Sequence, residues 1–192
     1  TQSRSSAASD VYKRQPQDPE TYRRQTRRST LIIALVFIAL AMLFSSAAVA
    51  LFGQPGGDNL LWNAAGVFTG LLISAALLRS VFWSKPWMAA AVYGWRLKRS
   101  LMRVTNVMHQ VTAGVAAGDP AALKLLRFYH LGLIQMHQLD ANSSAHGQMH
   151  GEVERHLALL AEHGIDPHQE RLEAQWLEAV SYTHLRAHET PE

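Results

Sequence analysis

Cysteine occurs nowhere in the 192 residues. Its absence excludes disulfide bridges and thiolate metal centres, and suits a reducing compartment. No segment alternates apolar and polar residues at period two, so no strand pattern competes with helix. A Ser-His-Asp order, a phosphate-cradling glycine loop and paired carboxylates within an apolar run are missing too. Those absences argue against an enzyme and imply no cofactor.

Two long runs lack any charge. Residues 31–52, LIIALVFIALAMLFSSAAVALF, form the first, and residues 60–78, LLWNAAGVFTGLLISAALL, the second. At 1.5 Å per residue the first exceeds the roughly 30 Å hydrocarbon layer of a bilayer, and the second nearly matches it. The segment between them, GQPGGDN at 53–59, holds Pro55 and the pair Gly56-Gly57, which mark a turn. Seven residues cannot recross a bilayer, so the runs predict a transmembrane hairpin. That connecting segment carries no base, whereas Arg23, Arg24, Arg27 and Arg28 precede the first run. Arg79, Lys85, Arg96, Lys98, Arg99 and Arg103 follow the second. The positive-inside rule then places both ends in the cytoplasm and the loop outside. Trp62 at one end and Trp83 and Trp87 at the other fit an aromatic belt. Ala48-Val49-Ala50 offers a small-residue cleavage site, but the apolar run is longer than a signal peptide needs. Arg27-Arg28 reads as a topology determinant ahead of a twin-arginine signal.

The ends have a different character. Residues 5–15, SSAASDVYKRQ, and residues 180–190, VSYTHLRAHET, resemble the translations of a transposase-type sequencing adapter and its partner. Residues 1–15 and 180–192 are accordingly read as non-native tails, and 16–179 as the biological sequence. Without the tails the net charge is +2 instead of +3, which is no signature of nucleic-acid binding. Charge is polarised within this stretch. Residues 16–119 carry ten bases and four acids, and residues 120–179 carry four bases and eight acids.

Beyond the hairpin, residues 79–179 predict an antiparallel bundle. Leu101, Val104, Met108, Val111 and Val115 form one stripe at helical spacing, ending at Gly118. Asp119-Pro120 supplies an N-cap and a proline at the first helical position. Ala122, Leu126, Tyr129, Leu133 and Met136, widened by Leu125, Phe128, Leu131 and Ile134, mark the most buried helix. Met149, Val153, Leu157 and Leu160 mark a third, closed by Gly164. Asp166-Pro167 then reads as the cap of a short last helix with Leu172, Trp176 and Leu177 inward. The fold class is all-α: a two-helix transmembrane hairpin followed by a small cytoplasmic antiparallel helical bundle.

Few residues suggest chemistry. His146, His150 and Glu154 share one helical face at a spacing that could hold a divalent metal, and solvent-facing histidines account for it equally well. His130 and His137 lie seven apart and could face His109, although a buried histidine with a hydrogen-bond partner is the commoner case. Arg96, Lys98, Arg99 and Arg103, interleaved with Tyr93, Trp95 and Leu97, form a basic-aromatic cluster beside the membrane. Anionic lipid headgroups attract such segments by about 1 kcal/mol per base, making lipid the expected partner in preference to nucleic acid. Gly66, Gly70 and Ser74 recur every four residues and suit close helix packing, with Ala41, Ser45 and Ala48 as the facing stripe. Asn63 alone is strongly polar within the runs and sits near an end, which argues against an ion pathway.

Three stretches, PETYRRQTRRSTLIIA at 19–34, GQPGGDN at 53–59 and PWMAAAVYGWRLKRSLMRVTNVMHQV at 86–111 with GDPAALKLLRFYHLGL at 118–133, carry a family likeness. They resemble an uncharacterised proteobacterial, pseudomonad-type two-span inner-membrane family, the domain-of-unknown-function family 3087. The resemblance implies an inner-membrane location and brings no catalytic residue. The expected role is a non-enzymatic membrane-anchored interaction or assembly module, with a protein partner or a second copy. A metal or small-ligand sensor, or a transporter or channel accessory subunit, are the alternatives.

Overall fold

The computed structural model describes residues 10–13, 17–141 and 149–187, with side chains over 17–141 and 149–181. Two compact units emerge, residues 21–93 and residues 94–192 together with the first twenty.

The first unit is the hairpin. Helix α1 spans Pro19–Phe52 and helix α2 spans Leu60–Leu77. A π-helical turn, Leu78–Phe82, extends α2, and its wide pitch is closed by the Trp83 amide donating to the Leu78 carbonyl at 2.9 Å. Helix α1 thus begins twelve residues before the uncharged run. Pro19 at its first position has a preset φ, Glu20 suits the positive helix end, and the arginines that follow are good helix formers. Both helices are long and apolar enough to cross a membrane, and their most apolar windows are only 6% and 17% buried. A core helix of a soluble protein would be mostly buried. Here Leu31, Leu35, Ile38, Met42, Leu61, Phe68 and Leu72 all point outward, which is the sign of a surface meant for lipid or protein.

What the hairpin does bury is small. A Cβ on Gly66 would strike the Ser45 backbone, and one on Gly70 would lie 2.8 Å from Ala41 Cα. Backbones can approach this closely only because glycine has no side chain. The Ser45 hydroxyl donates to the Asn63 carboxamide oxygen at 2.7 Å, so the polar side chain of α2 is matched within the hairpin. At the loop, Gly56 adopts φ +73°. Asn59 closes the turn, accepting from the Gln54 amide at 3.0 Å and donating to its carbonyl at 3.2 Å. At the opposite end Ser29 is buried, and its hydroxyl donates to the Trp87 carbonyl at 2.6 Å. That bond ties the basic turn before the first apolar run to the chain leaving the second.

The second unit is the bundle. After a 3-10 turn at Pro86–Met88 come α3 (Ala89–Thr105), α4 (Met108–Ala116), α5 (Pro120–Leu139) and α6 (His150–Glu162). Strand β1 (Asp10–Lys13) pairs antiparallel with β2 (Arg171–Glu173), Tyr12 opposite Leu172, and α7 (Ala174–Ala187) follows. Helix α5 is central and packs against α4, α6, β2 and α7. Leu123, Leu125 and Phe128 are fully buried on it, together with Leu97 and Val104 of α3 and Val111 of α4. Gly132 lets α3 settle on α5, because Leu101 Cδ2 lies 2.7 Å from where a Cβ would stand. Its cap is as expected: Asp119 Oδ1 accepts from the Ala121 amide at 2.9 Å ahead of Pro120.

The structure departs from the sequence reading in three places. The stripe from Leu101 to Val115 is two helices, not one. Val104, Thr105, Asn106 and Val107 are poor helix formers, and the Val107 amide takes an i→i+3 bond to Val104 at 3.0 Å. Asp166-Pro167 does not cap a helix. Asp166 Oδ1 accepts from the His168 amide at 2.9 Å in an Asx turn, and the chain then extends into β2 before α7 starts eight residues later than the aspartate. A two-stranded ribbon is therefore present where no strand was expected. Leu172 and Trp176 are nonetheless buried, because a strand followed by a helix presents both to α5.

Gly66→Leu should destabilise the hairpin by about 1–3 kcal/mol, the usual cost of overpacking, since it meets backbone that cannot rotate away. Ala64, exposed on the opposite side of α2, should accept leucine with little change. Thermal unfolding of the detergent-solubilised variants distinguishes the two.

Candidate functional site

The residues singled out from sequence are distributed as follows. His146 lies outside the described residues. His150 and Glu154 form an exposed pair, Nδ1 to Oε1 3.3 Å, one turn apart on α6. Among the described residues no group of three metal-ligating side chains is placed to hold an ion. Arg96, Lys98, Arg99 and Arg103 all lie on the exposed side of α3. Lys98 reaches Asp140 at 3.4 Å, and the Arg99 guanidinium sits 5.0 Å over the Trp95 ring. Gly66 and Gly70 face α1, and the Ser74 hydroxyl donates to the Gly70 carbonyl at 2.7 Å.

A different constellation occupies the bundle interior. Arg127 and His130 are three apart on α5, so they share its face towards α6 and the segment beyond it. Glu152 and His156 are four apart on α6 and share the opposing face. His130 and His156 are 1% and 3% exposed. Their rings meet edge to face, centroids 5.3 Å apart at 81°. His156 Nε2 is 3.0 Å from the Leu123 carbonyl, which fixes that nitrogen as the donor. His130 Nε2 lies 3.7 Å from Glu152 Oε1, whose own side chain is mostly exposed. Arg127 Nε donates to the Pro167 carbonyl at 2.8 Å, holding the 166–170 turn against α5.

The partner of His130 is thus on α6, not His109 on α4, which is exposed. His156 escapes a sequence reading based on apolar periodicity because it fills an inward position, three after Val153 and four before Leu160, with a polar ring. That spacing is the only trace it leaves.

Burial sets the electrostatics. Loss of hydration is the main cause holding His130 down to about 4, aided by the neighbouring His156 and Arg127 and opposed by Glu152. Burial likewise lowers His156, with the Leu123 carbonyl and Glu152 pulling the other way and Arg127 adding to the depression. Both imidazoles are neutral near pH 7. Each then offers one donor and one acceptor nitrogen, and the Nδ1 atoms of both are buried without a hydrogen-bond partner. Chemically the pair clamps α6 to α5 as long as it is neutral, and resists proton uptake while folded.

That resistance has a definite sign. The unfolded chain binds a proton near the ordinary histidine value of 6.5 and the folded chain only near 4. Stability is therefore full above 6.5 and declines as the pH falls through the window below it. Each tenfold difference in proton affinity is worth about 1.4 kcal/mol, so His130 should cost the fold on the order of 2–3 kcal/mol between pH 7 and 4.5. Melting temperatures followed by circular dichroism should fall more steeply with acid in the wild-type chain than in a His130→Gln, His156→Gln variant.

A search of curated proteins and a search of solved structures return no match. A family model described as a protein of unknown function, DUF3087, matches residues 12–177, which takes in the hairpin, the basic face of α3 and the histidine pair. By that match the chain belongs to the DUF3087 family.

Proposed function

We propose that this protein is a membrane-anchored interaction or assembly module without catalytic activity of its own. The observation that carries the reading is the contrast between the two units. Apolar side chains of α1 and α2 face outward, and those of α5 face inward. A surface of the first kind needs lipid around it, whereas the second needs only itself. The bases flanking the hairpin and the absence of any base from the loop favour an inner-membrane location with both ends in the cytoplasm. The bundle offers the partner an acidic outer surface, with Glu152, Glu154, Glu162, Glu170 and Glu178 all exposed. Gly66 and Gly70 are engaged inside the hairpin, so oligomerisation through them, as a channel subunit would need, finds no support in the packing. For the sensor reading, the described residues supply the exposed His150–Glu154 pair, while His146 lies outside them.

The absence of cysteine makes the topology easy to test. A maleimide that cannot cross the inner membrane should label Asp58→Cys in intact cells, and Arg171→Cys only after lysis. Labelling in the opposite sense would reverse the orientation. For the interaction role, the tagged chain should purify from bacterial membranes in mild detergent with a stoichiometric partner, or as a defined oligomer. A lone monomer, unchanged by cross-linking in the membrane before extraction, would sink the proposal.

A further inference from the structure

One face of helix α3 is exposed among the described residues. Leu97, Ser100, Leu101 and Val104 are buried on the helix, while Trp95, Arg96, Lys98, Arg99, Met102 and Arg103 are exposed. At 3.6 residues per turn, Trp95 and Met102 project within roughly 20° of each other, Lys98 flanks them on one side, and Arg99, Arg103 and Arg96 on the other. An apolar strip with bases along both edges is therefore present, and no acidic residue occurs within α3. Trp95 is 46% exposed and Met102 64% exposed, large apolar side chains that water would not select for. The Arg99 guanidinium lies 5.0 Å over the Trp95 ring, so one base rides on the strip itself. Among the described residues, Lys98 is the base of the four that pairs with an acid, Asp140 at 3.4 Å.

Position in the chain supplies the occupant. Trp95 follows the end of the second membrane-length helix, Phe82, by thirteen residues, so this face is tethered beside whatever bilayer holds the hairpin. Bases attract anionic headgroups, long basic side chains reach upward around a shallowly inserted strip, and indole prefers the headgroup boundary. We infer that the outer face of α3 is a lipid-docking surface, with Trp95 and Met102 seated in the headgroup layer of an anionic leaflet and Arg96, Arg99 and Arg103 on its phosphates. The inference rests on the hairpin being inserted in a membrane. The docking face in turn sets which side of the bundle a protein partner can reach.

A cysteine-free chain suits site-directed spin labelling. The full chain carrying Met102→Cys with a nitroxide is reconstituted into vesicles of phosphatidylcholine alone, or of phosphatidylcholine with a third phosphatidylglycerol. A second label at Leu43, outward on α1, reports the hairpin. In anionic vesicles the Met102 label should show a several-fold loss of accessibility to a water-soluble nickel relaxant and a gain towards oxygen. Neutral vesicles, or Arg96→Gln with Arg99→Gln and Arg103→Gln, should return it to water while Leu43 stays at hydrocarbon depth. Water exposure of Met102 in anionic vesicles, with Leu43 still deep, overturns the docking surface alone. Equal protection in both lipids overturns it in favour of a second copy of the chain. Water exposure at Leu43 removes the anchored reading, and the docking with it.

Discussion

Apolar side chains must leave water, and the two units of this chain meet that constraint in opposite directions. In the bundle, α5 is sequestered by α3, α4, α6 and α7, and Leu123, Leu125, Phe128 and Leu139 on it vanish from the surface. In the hairpin, two helices of membrane length touch along a seam of Gly66, Gly70, Ala41 and Ser45, leaving the larger side chains outside. Small residues at the seam and large ones outside are the arrangement expected when the surroundings are as apolar as the side chains, because packing, not water exclusion, then holds helices together.

Several polar groups in either unit are matched by partners on other elements. Asn63 is answered by Ser45, Ser29 by the Trp87 carbonyl, His156 by the Leu123 carbonyl and Arg127 by the Pro167 carbonyl. Each bond joins elements distant in sequence, so each also selects one packing over its neighbours. A buried donor without its acceptor would cost more than the bond contributes, which makes these contacts specific even where their net stabilisation is modest. The His130–His156 contact differs in that its cost is conditional. Neutral rings fit, and charged rings would face Arg127 across a dry interface. The strength of the α5–α6 seam thus depends on pH.

Legibility followed the length scale of each signal. The uncharged runs, the Pro-Gly loop and the Asp119-Pro120 cap are local patterns: both runs are helical, although α1 starts twelve residues before its run, and the turn and the cap stand at the residues that suggest them. The glycine stripe was readable as a packing surface, and its facing residues Ala41 and Ser45 were identifiable because helix periodicity alone aligns them. The candidate site was hardly readable. His130 stood out as polar on an apolar helix, but its neighbours come from α6 and from the turn after it, and no periodicity connects positions 127, 130, 152, 156 and 167.

By itself, the sequence determined the predominance of helix, the two helices of membrane length, the distribution of charge around them, and the all-α class. These follow from composition and spacing within windows of a few turns, where backbone geometry repeats. Tertiary structure alone decided where the stripe at 101–115 breaks, that Asp166-Pro167 turns into a strand instead of a helix, and which side chains surround the buried histidines. The reason is that marginal local preferences, at Thr105-Asn106 or after Pro167, differ by less than the contacts that settle them. Arg127 capturing the Pro167 carbonyl is such a contact, and it joins residues forty positions apart.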